Sequence, residues 1–267
     1  MSDTDPPASR DGTQAVRRAA AILQRIAQVS EGAPPSLREI SASVGLPRST
    51  AHRILKCLAD TGLVAYDADR RHYEVGPLCY ELGLAVSERV LDMAPLCAAV
   101  DRVAARTNVT TYLMRRSGIH AVCIHKAEGN AVIRVIPVEV GQRRFLGVGA
   151  GATALLAALD DDAIERILGA IGSEFDRYAD LSPDIVREAV AATRATGFSV
   201  SRSRAYRSVF GLGHAVAAGG SGAVGSRAAE FAISIAVHAP EVDEARIDGW
   251  KTVIGEEIAR VSASSAG

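Results

Sequence analysis

Cysteine is scarce: Cys57, Cys79, Cys97 and Cys123 are scattered over 267 residues with no C-x-x-C pair. His120 and His125 do not complete a metal-ligand spacing with them, so the thiols read as reduced and structural, and no metal is expected. There is also no G-x-S-x-G, H-E-x-x-H or P-loop, which removes the common signatures of a hydrolase, a zinc peptidase or a nucleotidase. No catalytic residue and no cofactor is expected, and the chain does not read as an enzyme. Apolar stretches such as residues 154–159 are too short to cross a bilayer, and the polar start with Pro6-Pro7 does not resemble a signal peptide, so a soluble, cytoplasmic protein is expected. Net charge is almost absent as well, with 30 Lys and Arg against 31 Asp and Glu, or −1. The 48% apolar content and the length fit two domains with real cores.

The charge is distributed unevenly. Residues 10–72 hold 10 Lys and Arg against 6 Asp and Glu, a local net of +4. Within them, Ser36-Leu37-Arg38-Glu39 is a capping box that announces a helix, with Leu37, Ile40 and Val44 on one face and Gly45 suited to the residue just past its end. Pro47 suits the first turn of a second helix. There Ala51, Ile54, Leu55 and Leu58 form an apolar stripe, and Ser49, His52, Arg53 and Lys56 form a polar one at the same offsets.

A basic face on one helix is by itself often no more than a solvated surface. Here it is flanked by other parts. Val16, Ala19, Ala20, Leu23, Ile26 and Ala27 offer a supporting helix. Leu63–Tyr66 and His72–Val75 read as two strands around a turn-rich tip carrying Arg70 and Arg71. The set is that of a winged helix-turn-helix, with Arg48 and Thr50 at the recognition-helix N-terminus and the wing arginines placed to reach a phosphate or the minor groove.

Residues 1–12 and 262–267 read as loose tails. After Gly76 a helix carrying Leu78, Leu82, Ala85, Val86 and Val90 links to a larger domain. That stripe fits packing against a partner chain or within this one. From Met93 onward, Ala94–Arg106 reads as a helix. Thr110–Arg115, Ala121–Lys126 and Ala131–Pro137 read as strands, and Ala152–Leu159, Ala163–Ala170 and Pro183–Thr196 as helices. Val216–Ala218 and Ala232–Val237 read as strands, and Val242–Val261 as a closing helix. The absence of regular βαβ repeats points to an α+β sensor-like domain with an antiparallel sheet.

The glycine-rich run at 147–151 lacks a complete G-x-G-x-x-G. It can be read as a helix start that receives a small anion, or as simple close packing. The acid-free segment Ser199–His214, with Arg202, Arg204, Tyr206 and Arg207, could line a carboxylate pocket or form an exposed loop.

The order of these parts resembles the isocitrate lyase regulator (IclR) family of bacterial transcription factors, from about Thr13 to Val261. The strongest likeness is SLREISASVGLPRSTAHRILKCLADTGLV. It is followed by Tyr73-Glu74-Val75-Gly76, Gly141-Gln142-Arg143, Ala195-Thr196-Gly197-Phe198 and Ala232-Ile233-Ser234-Ile235. The resemblance implies an α+β architecture: a winged helix-turn-helix over 13–76, a linker helix over 77–91, and a GAF-like α/β effector-binding and oligomerisation domain over 92–261. It implies homodimers or homotetramers on a near-palindromic double-stranded DNA operator, with affinity tuned by a small organic effector, anionic or aromatic.

On that basis Ser36, Arg38, Arg48, Ser49, Thr50, His52, Arg53, Lys56, Arg70 and Arg71 are candidate DNA contacts. Gly149, Ala150, Gly151, Ser201, Val209, Gly211 and Ser234 are candidate effector positions. The chain departs from the family at Ala152-Thr153, where Gly-Lys is usual. It carries Ser201, Arg202, Ser203 and Arg204 where acids are common, Gly211 at a polar position, and Ala236 for a second serine. These changes favour a bulkier or more anionic effector over a short hydroxy- or oxo-acid. Two other readings stay open: a regulator whose sensor has lost its ligand, and a small-molecule enzyme, for which neither Cys123 nor His125 shows a partner in sequence.

Overall fold

The computed structural model describes residues 10–27, 34–87, 93–130, 138–178, 180–202, 207–216 and 229–264, and the chain divides after Asp92 into two units. The first unit comprises α1 (Arg10–Ile26), α2 (Leu37–Ser43), α3 (Arg48–Asp60), β1 (Val64–Asp67), β2 (His72–Val75) and α4 (Pro77–Ser87).

The capping box forms as its sequence dictates. The Glu39 amide donates to Ser36 Oγ at 3.4 Å and the Ser36 amide donates to Glu39 Oε2 at 2.8 Å. These bonds hold the Glu39 carboxyl below its ordinary range. At the other end of α2 the Leu46 amide reaches the Ser41 carbonyl and the Gly45 amide reaches that of Ala42, with Gly45 at φ +64°. This is a Schellman closure, which a residue with a Cβ would strain. Pro47 lies one position outside the expected place, as the N-cap of α3, and contributes no side-chain cap.

Ile22, Ile26, Ile40, Leu55, Leu58, Val64 and Tyr73 form the core of this unit. The α1 stripe is displaced from the sequence reading. Ile22 is its fully buried centre, while Val16 is 70% exposed and Ala20 is exposed, because the buried positions of α1 lie in its second half. Tyr80, Leu82 and Leu84 of α4 are also exposed within this unit.

The second unit is built on a six-stranded antiparallel sheet in the order β5-β4-β3-β8-β7-β6. Its strands are β3 (Thr110–Ser117), β4 (His120–Ala127), β5 (Arg143–Phe145), β6 (Ser199–Arg202), β7 (Val209–Val216) and β8 (Phe231–His238). Its helices are α5 (Ala94–Thr107), α6 (Ala150–Ala157), α7 (Asp161–Ile171), α8 (Pro183–Thr196) and α9 (Glu244–Ser264).

Alternate residues along β3 and β8 feed two cores. Tyr112, Met114, Ala232 and Ala236 pack with α6, α7 and α8, whereas Leu113, Ile233, Ile235 and Val237 pack with α5 and α9. Two 3-10 turns, Gly172–Arg177 and Ala239–Glu241, complete the unit.

Three expectations change. The segment 199–214 supplies strand at both of its ends, β6 and most of β7, whose apolar signal is broken by Gly211 and Gly213; residues 203–206 between them lie outside the described residues. The short strand Arg143–Phe145 went unseen because two of its three residues are arginines. The closing helix runs to Ser264, past the expected start of the tail. The expected strand at 131–137 lies outside the described residues, and of 216–218 only Val216, the end of β7, is described.

Gly213 and Gly151 explain how closely α6 sits on the sheet. A Cβ on Gly213 would lie 2.9 Å from the Ala150 backbone, and one on Gly151 would lie 2.7 Å from Ser234 Oγ. Ser199 Oγ sits within reach of both the Ala150 and Gly213 carbonyls, tying β6 to the same helix start. Of the two readings of the glycine run, close packing is therefore present; it leaves room for little else. Opposite, the fully buried Glu257 of α9 receives Arg102 Nε at 2.6 Å and Arg106 at 2.9 Å, joining α5 to α9. Burial pushes the Glu257 carboxyl up, but these guanidinium bonds outweigh it and leave the group below its ordinary range.

Candidate DNA-binding surface and effector cavity

On the first unit, α3, the start of α2 and the wing enclose an open groove of about 430 Å³. Arg38, Arg48, His52, Lys56 and Arg71 reach it over a floor of Leu55, Tyr66 and Tyr73, and no acidic side chain lines it. The two tyrosine rings pack 4.7 Å apart, fixing the inner side of the wing. Neither His52 nor the four cations Arg38, Arg48, Lys56 and Arg71 have a hydrogen bond or ion pair with any described residue. Arginines elsewhere are mostly engaged: Arg187 with Glu165 and Asp184, Arg194 with Asp161, and Arg202 with Glu244.

Of the sequence candidates, the groove brings together Ser36, Arg38, Arg48, His52, Lys56 and Arg71. Ser49, Thr50 and Arg53 lie on α3 outside it, and Arg70 turns to Asp67 at 3.9 Å instead. The wing tip is held by Asp67 Oδ1, which accepts from the Asp69 and Arg70 amides, and by Arg71 in the left-handed region at φ +56°. Ser36 Oγ is committed to its own capping box, so its part here is local structure.

In the second unit a cavity of about 50 Å³ lies where α6 begins. Of the candidate effector positions, Gly149, Ala150, Gly151 and Ser234 line it. Tyr112, Met114, Val138, Arg144, Val148 and Ala152 line it too, and sequence reasoning missed them. Ser201 and Gly211 are paired across β6 and β7 and, like Val209, do not border the cavity.

Ser234 is 6% exposed and its hydroxyl has no hydrogen bond with a described residue. No side chain caps the α6 N-terminus at Gly149, and Gly149, Ala150 and Gly151 at that end line the same space. Burial raises the Tyr112 hydroxyl far above its usual range, keeping it neutral. Arg144 bonds the Arg143 carbonyl and Gln142 Oε1 while bordering the cavity. Arg202 does not reach it, lying over the Phe210 ring and pairing with Glu244; Arg207 is exposed, and Arg204 and Tyr206 are outside the described residues.

His125 acquires a partner that the sequence did not reveal, Asp101 at 2.8 Å from α5. Cys123 is buried among the side chains that pack with α6, and burial pushes its thiol up to about 12, so it is protonated near neutrality. Among the described residues no group of three or more His, Cys, Asp or Glu could hold a metal ion, and no helix is long and apolar enough to cross a membrane.

Comparison with known proteins agrees with this architecture. Residues 15–68 match the IclR helix-turn-helix domain, and residues 92–263 match the family described as bacterial transcriptional regulator IclR C-terminal. The chain is 28% identical over 134 residues to the HTH-type transcriptional regulator KipR of Bacillus subtilis, covering 50% of this chain and 52% of KipR. It is 30% identical over 163 residues to the probable transcriptional regulator SauR of Cupriavidus necator, covering 61% of this chain and 64% of SauR. These matches thus span between half and two thirds of the relatives' lengths.

Among solved structures, an IclR transcriptional regulator from Alicyclobacillus acidocaldarius superposes with a TM-score of 0.75 at 21% identity, covering 94% of this chain and 98% of that one. An IclR homologue from Microbacterium hydrocarbonoxydans complexed with 4-hydroxybenzoate gives 0.67 at 15% identity, covering 94% and 99%. At such identities the likeness is one of fold. With both of its units matched in order, the chain belongs to the IclR family of transcriptional regulators.

Proposed function

We propose that this protein binds a near-palindromic DNA operator through α3 and the wing, as a homodimer or dimer of dimers, and that a small organic anion entering at the start of α6 changes that affinity. The observation that carries the DNA-binding part is the groove, where four cationic side chains and His52 converge with no acidic side chain and no ion pair among the described residues. Uncompensated positive charge on one side of an amphipathic helix suits a phosphate backbone, whose condensed counterions are released on contact. Arg48, Ser49, Thr50, His52, Arg53 and Lys56 lie on α3, and Arg38 and Arg71 flank it. Arg70, tied to Asp67, contributes weakly.

The cavity supports the effector part through Ser234 and Arg144, whose side chains can donate to an anion, and through the uncapped start of α6 that lines it. Its volume, about 50 Å³, holds a few water molecules. A ligand of several heavy atoms must open it, so binding draws on a conformational change and can shift a population. A second reading, a regulator without a ligand, is favoured by that same small volume. An enzymatic reading lacks a nucleophile, since the protonated Cys123 thiol and the Asp101–His125 pair belong to opposite packing layers of the sheet.

Fluorescence anisotropy of the full chain on duplexes from the DNA beside its own gene tests the proposal, repeated with a panel of short and aromatic carboxylates. Saturable binding that weakens with salt, and is altered by one class of carboxylate, is the expected result. Binding without any response across the panel would select the ligand-free reading. Absence of saturable binding at low salt would overturn the proposal as a whole.

A further inference from the structure

The sheet of the second unit carries its own concentration of positive charge, where β3 turns into β4 and on the face away from the cavity. Arg115 of β3 and Arg143 of β5 are both in register with Val122 of β4, so they share one face of the sheet with that residue between them. Arg116 and Arg144 are in register with Ala121 and take the other face, where Ala121 packs with the α6 layer and Arg144 borders the cavity.

The backbone sets Arg115 and Arg143 about 10 Å apart, two strand spacings. Side-chain direction closes much of that gap. Arg143 extends across β4 to reach Ser117 Oγ of β3 at 3.5 Å, and Ser117 lies only two residues, about 7 Å, beyond Arg115 on the same strand and face. His120 stands opposite Ser117 and stacks on Phe145 with ring centroids 4.8 Å apart. Two guanidiniums, an imidazole and a hydroxyl thus gather over one end of the hairpin.

No acid answers them. Neither Arg115 nor Arg143 has an ion pair with any described residue, and Arg115 Nε is buried without a hydrogen-bond partner. Both side chains are partly buried. Burial pushes the Arg143 guanidinium below its ordinary range, and burial together with the charge of Arg143 lowers the His120 imidazole. In the same unit Arg102 and Arg106 are matched by Glu257, which makes the contrast sharp. Desolvated donors left unmatched cost free energy that a bound anion recovers.

We propose that Arg115, Ser117, His120 and Arg143 form an oxyanion site on the opposite face of the sheet from the effector cavity, for a phosphate-class dianion: inorganic phosphate or the phosphate group of a small monoester. Guanidiniums approaching from two strands suit an anion whose acceptor oxygens point in several directions, whereas a single planar carboxylate is satisfied by one fork. Ser117 and His120 supply further donors. The site lies wholly within the second unit and depends on neither the DNA-binding nor the effector reading.

Isothermal titration calorimetry of the full chain with inorganic phosphate, glycerol phosphate and benzoate, at fixed ionic strength in a buffer free of phosphate, tests this. Phosphate should bind saturably. Arg115→Gln and Arg143→Gln should each weaken it roughly 10- to 100-fold. Arg71→Ala in the groove of the first unit and Arg166→Gln, exposed on α7, should leave it unchanged. Tighter binding of glycerol phosphate would identify a monoester as the occupant, and tighter binding of inorganic phosphate the free ion.

A second readout needs no substitution. An anion beside Arg143 offsets its push on His120, so the His120 imidazole, followed by NMR, should titrate at higher pH in phosphate than in chloride. Absence of saturable binding at millimolar phosphate, binding that survives both substitutions in variants folded by circular dichroism, loss of binding with Arg71→Ala, displacement of phosphate by benzoate, or an unmoved His120 would each overturn the proposal.

Discussion

The groove beside α3 and the cavity beneath α6 are built on opposite plans. One is about 430 Å³ and lined by Arg38, Arg48, Lys56 and Arg71 with no acidic side chain among the described residues; the other is about 50 Å³ and narrowed by glycine-mediated contact between helix and sheet. On the function proposed above, the first offers a polyanion a broad surface, whereas the second has to widen before an effector of several heavy atoms fits. On that reading a broad output surface and a narrow input site suit a regulator whose ligand-free state binds DNA, because ligand energy then goes into widening the space at α6.

The largest effect that would sharpen this contrast lies in the scaffold of the closed unit. Glu257→Ala removes the buried carboxylate that Arg102 and Arg106 share, leaving Arg106 with Glu256 alone, and should destabilise the second unit by about 2–4 kcal/mol through the lost charge-assisted hydrogen bonds. Urea unfolding followed by the fluorescence of Trp250, the single tryptophan and buried on α9 itself, reports it directly. Because the folded carboxyl titrates below its unfolded value, its stabilisation is fully present above the ordinary carboxylate range and disappears as pH falls through the folded value. Acid titration of the variant should lack that component, and equal acid sensitivity in both proteins would refute this role for Glu257.

A smaller effect is expected where the cavity itself is filled. Gly151→Ala puts a Cβ within 2.7 Å of Ser234 Oγ and 2.8 Å of Met114 Cγ, so it should cost about 1–3 kcal/mol in thermal or urea unfolding. DNA affinity should survive and any effector response should vanish. Loss of DNA binding in a folded variant would break the separation between the two sites.

Smallest is the contrast between thiols. Cys57 is exposed on α3 and Cys123 is buried with its thiol pushed up to about 12, so iodoacetamide at neutral pH should label Cys57 and spare Cys123 in the native protein. Mass spectrometry of the peptides checks this, and prompt labelling of Cys123 would show that the α6 side of the sheet opens readily.

What could be read from sequence followed from how local the cause was. The capping box at Ser36, the turn at Gly45 and the wing around residues 67–71 depend on neighbours a few residues apart, and they appear as expected. The Val16 misreading came from extending a sound helical period into a part of α1 that packs on nothing within its unit.

In the second unit the causes are distant. Gly211 and Gly213 look like loop residues until α6 is seen lying on them. Arg144 borders the cavity because β5 pairs with β4 at Ala121, and Asp101 meets His125 through packing of α5 on the sheet; no spacing in the chain encodes either. The family resemblance located the neighbourhood of the cavity at Gly149–Gly151 and Ser234 but not its polar lining from β3 and β5.

The central claim is that uncompensated cations between α3 and the wing bind DNA through its phosphates. Its most direct test is the slope of log K against log salt for the full chain on a mixed-sequence duplex, compared with the triple variant Arg48→Ala, Lys56→Ala, Arg71→Ala. At about 0.9 per phosphate contact, the slope should fall by roughly 2.7 in magnitude. An unchanged slope in a folded variant would contradict the account.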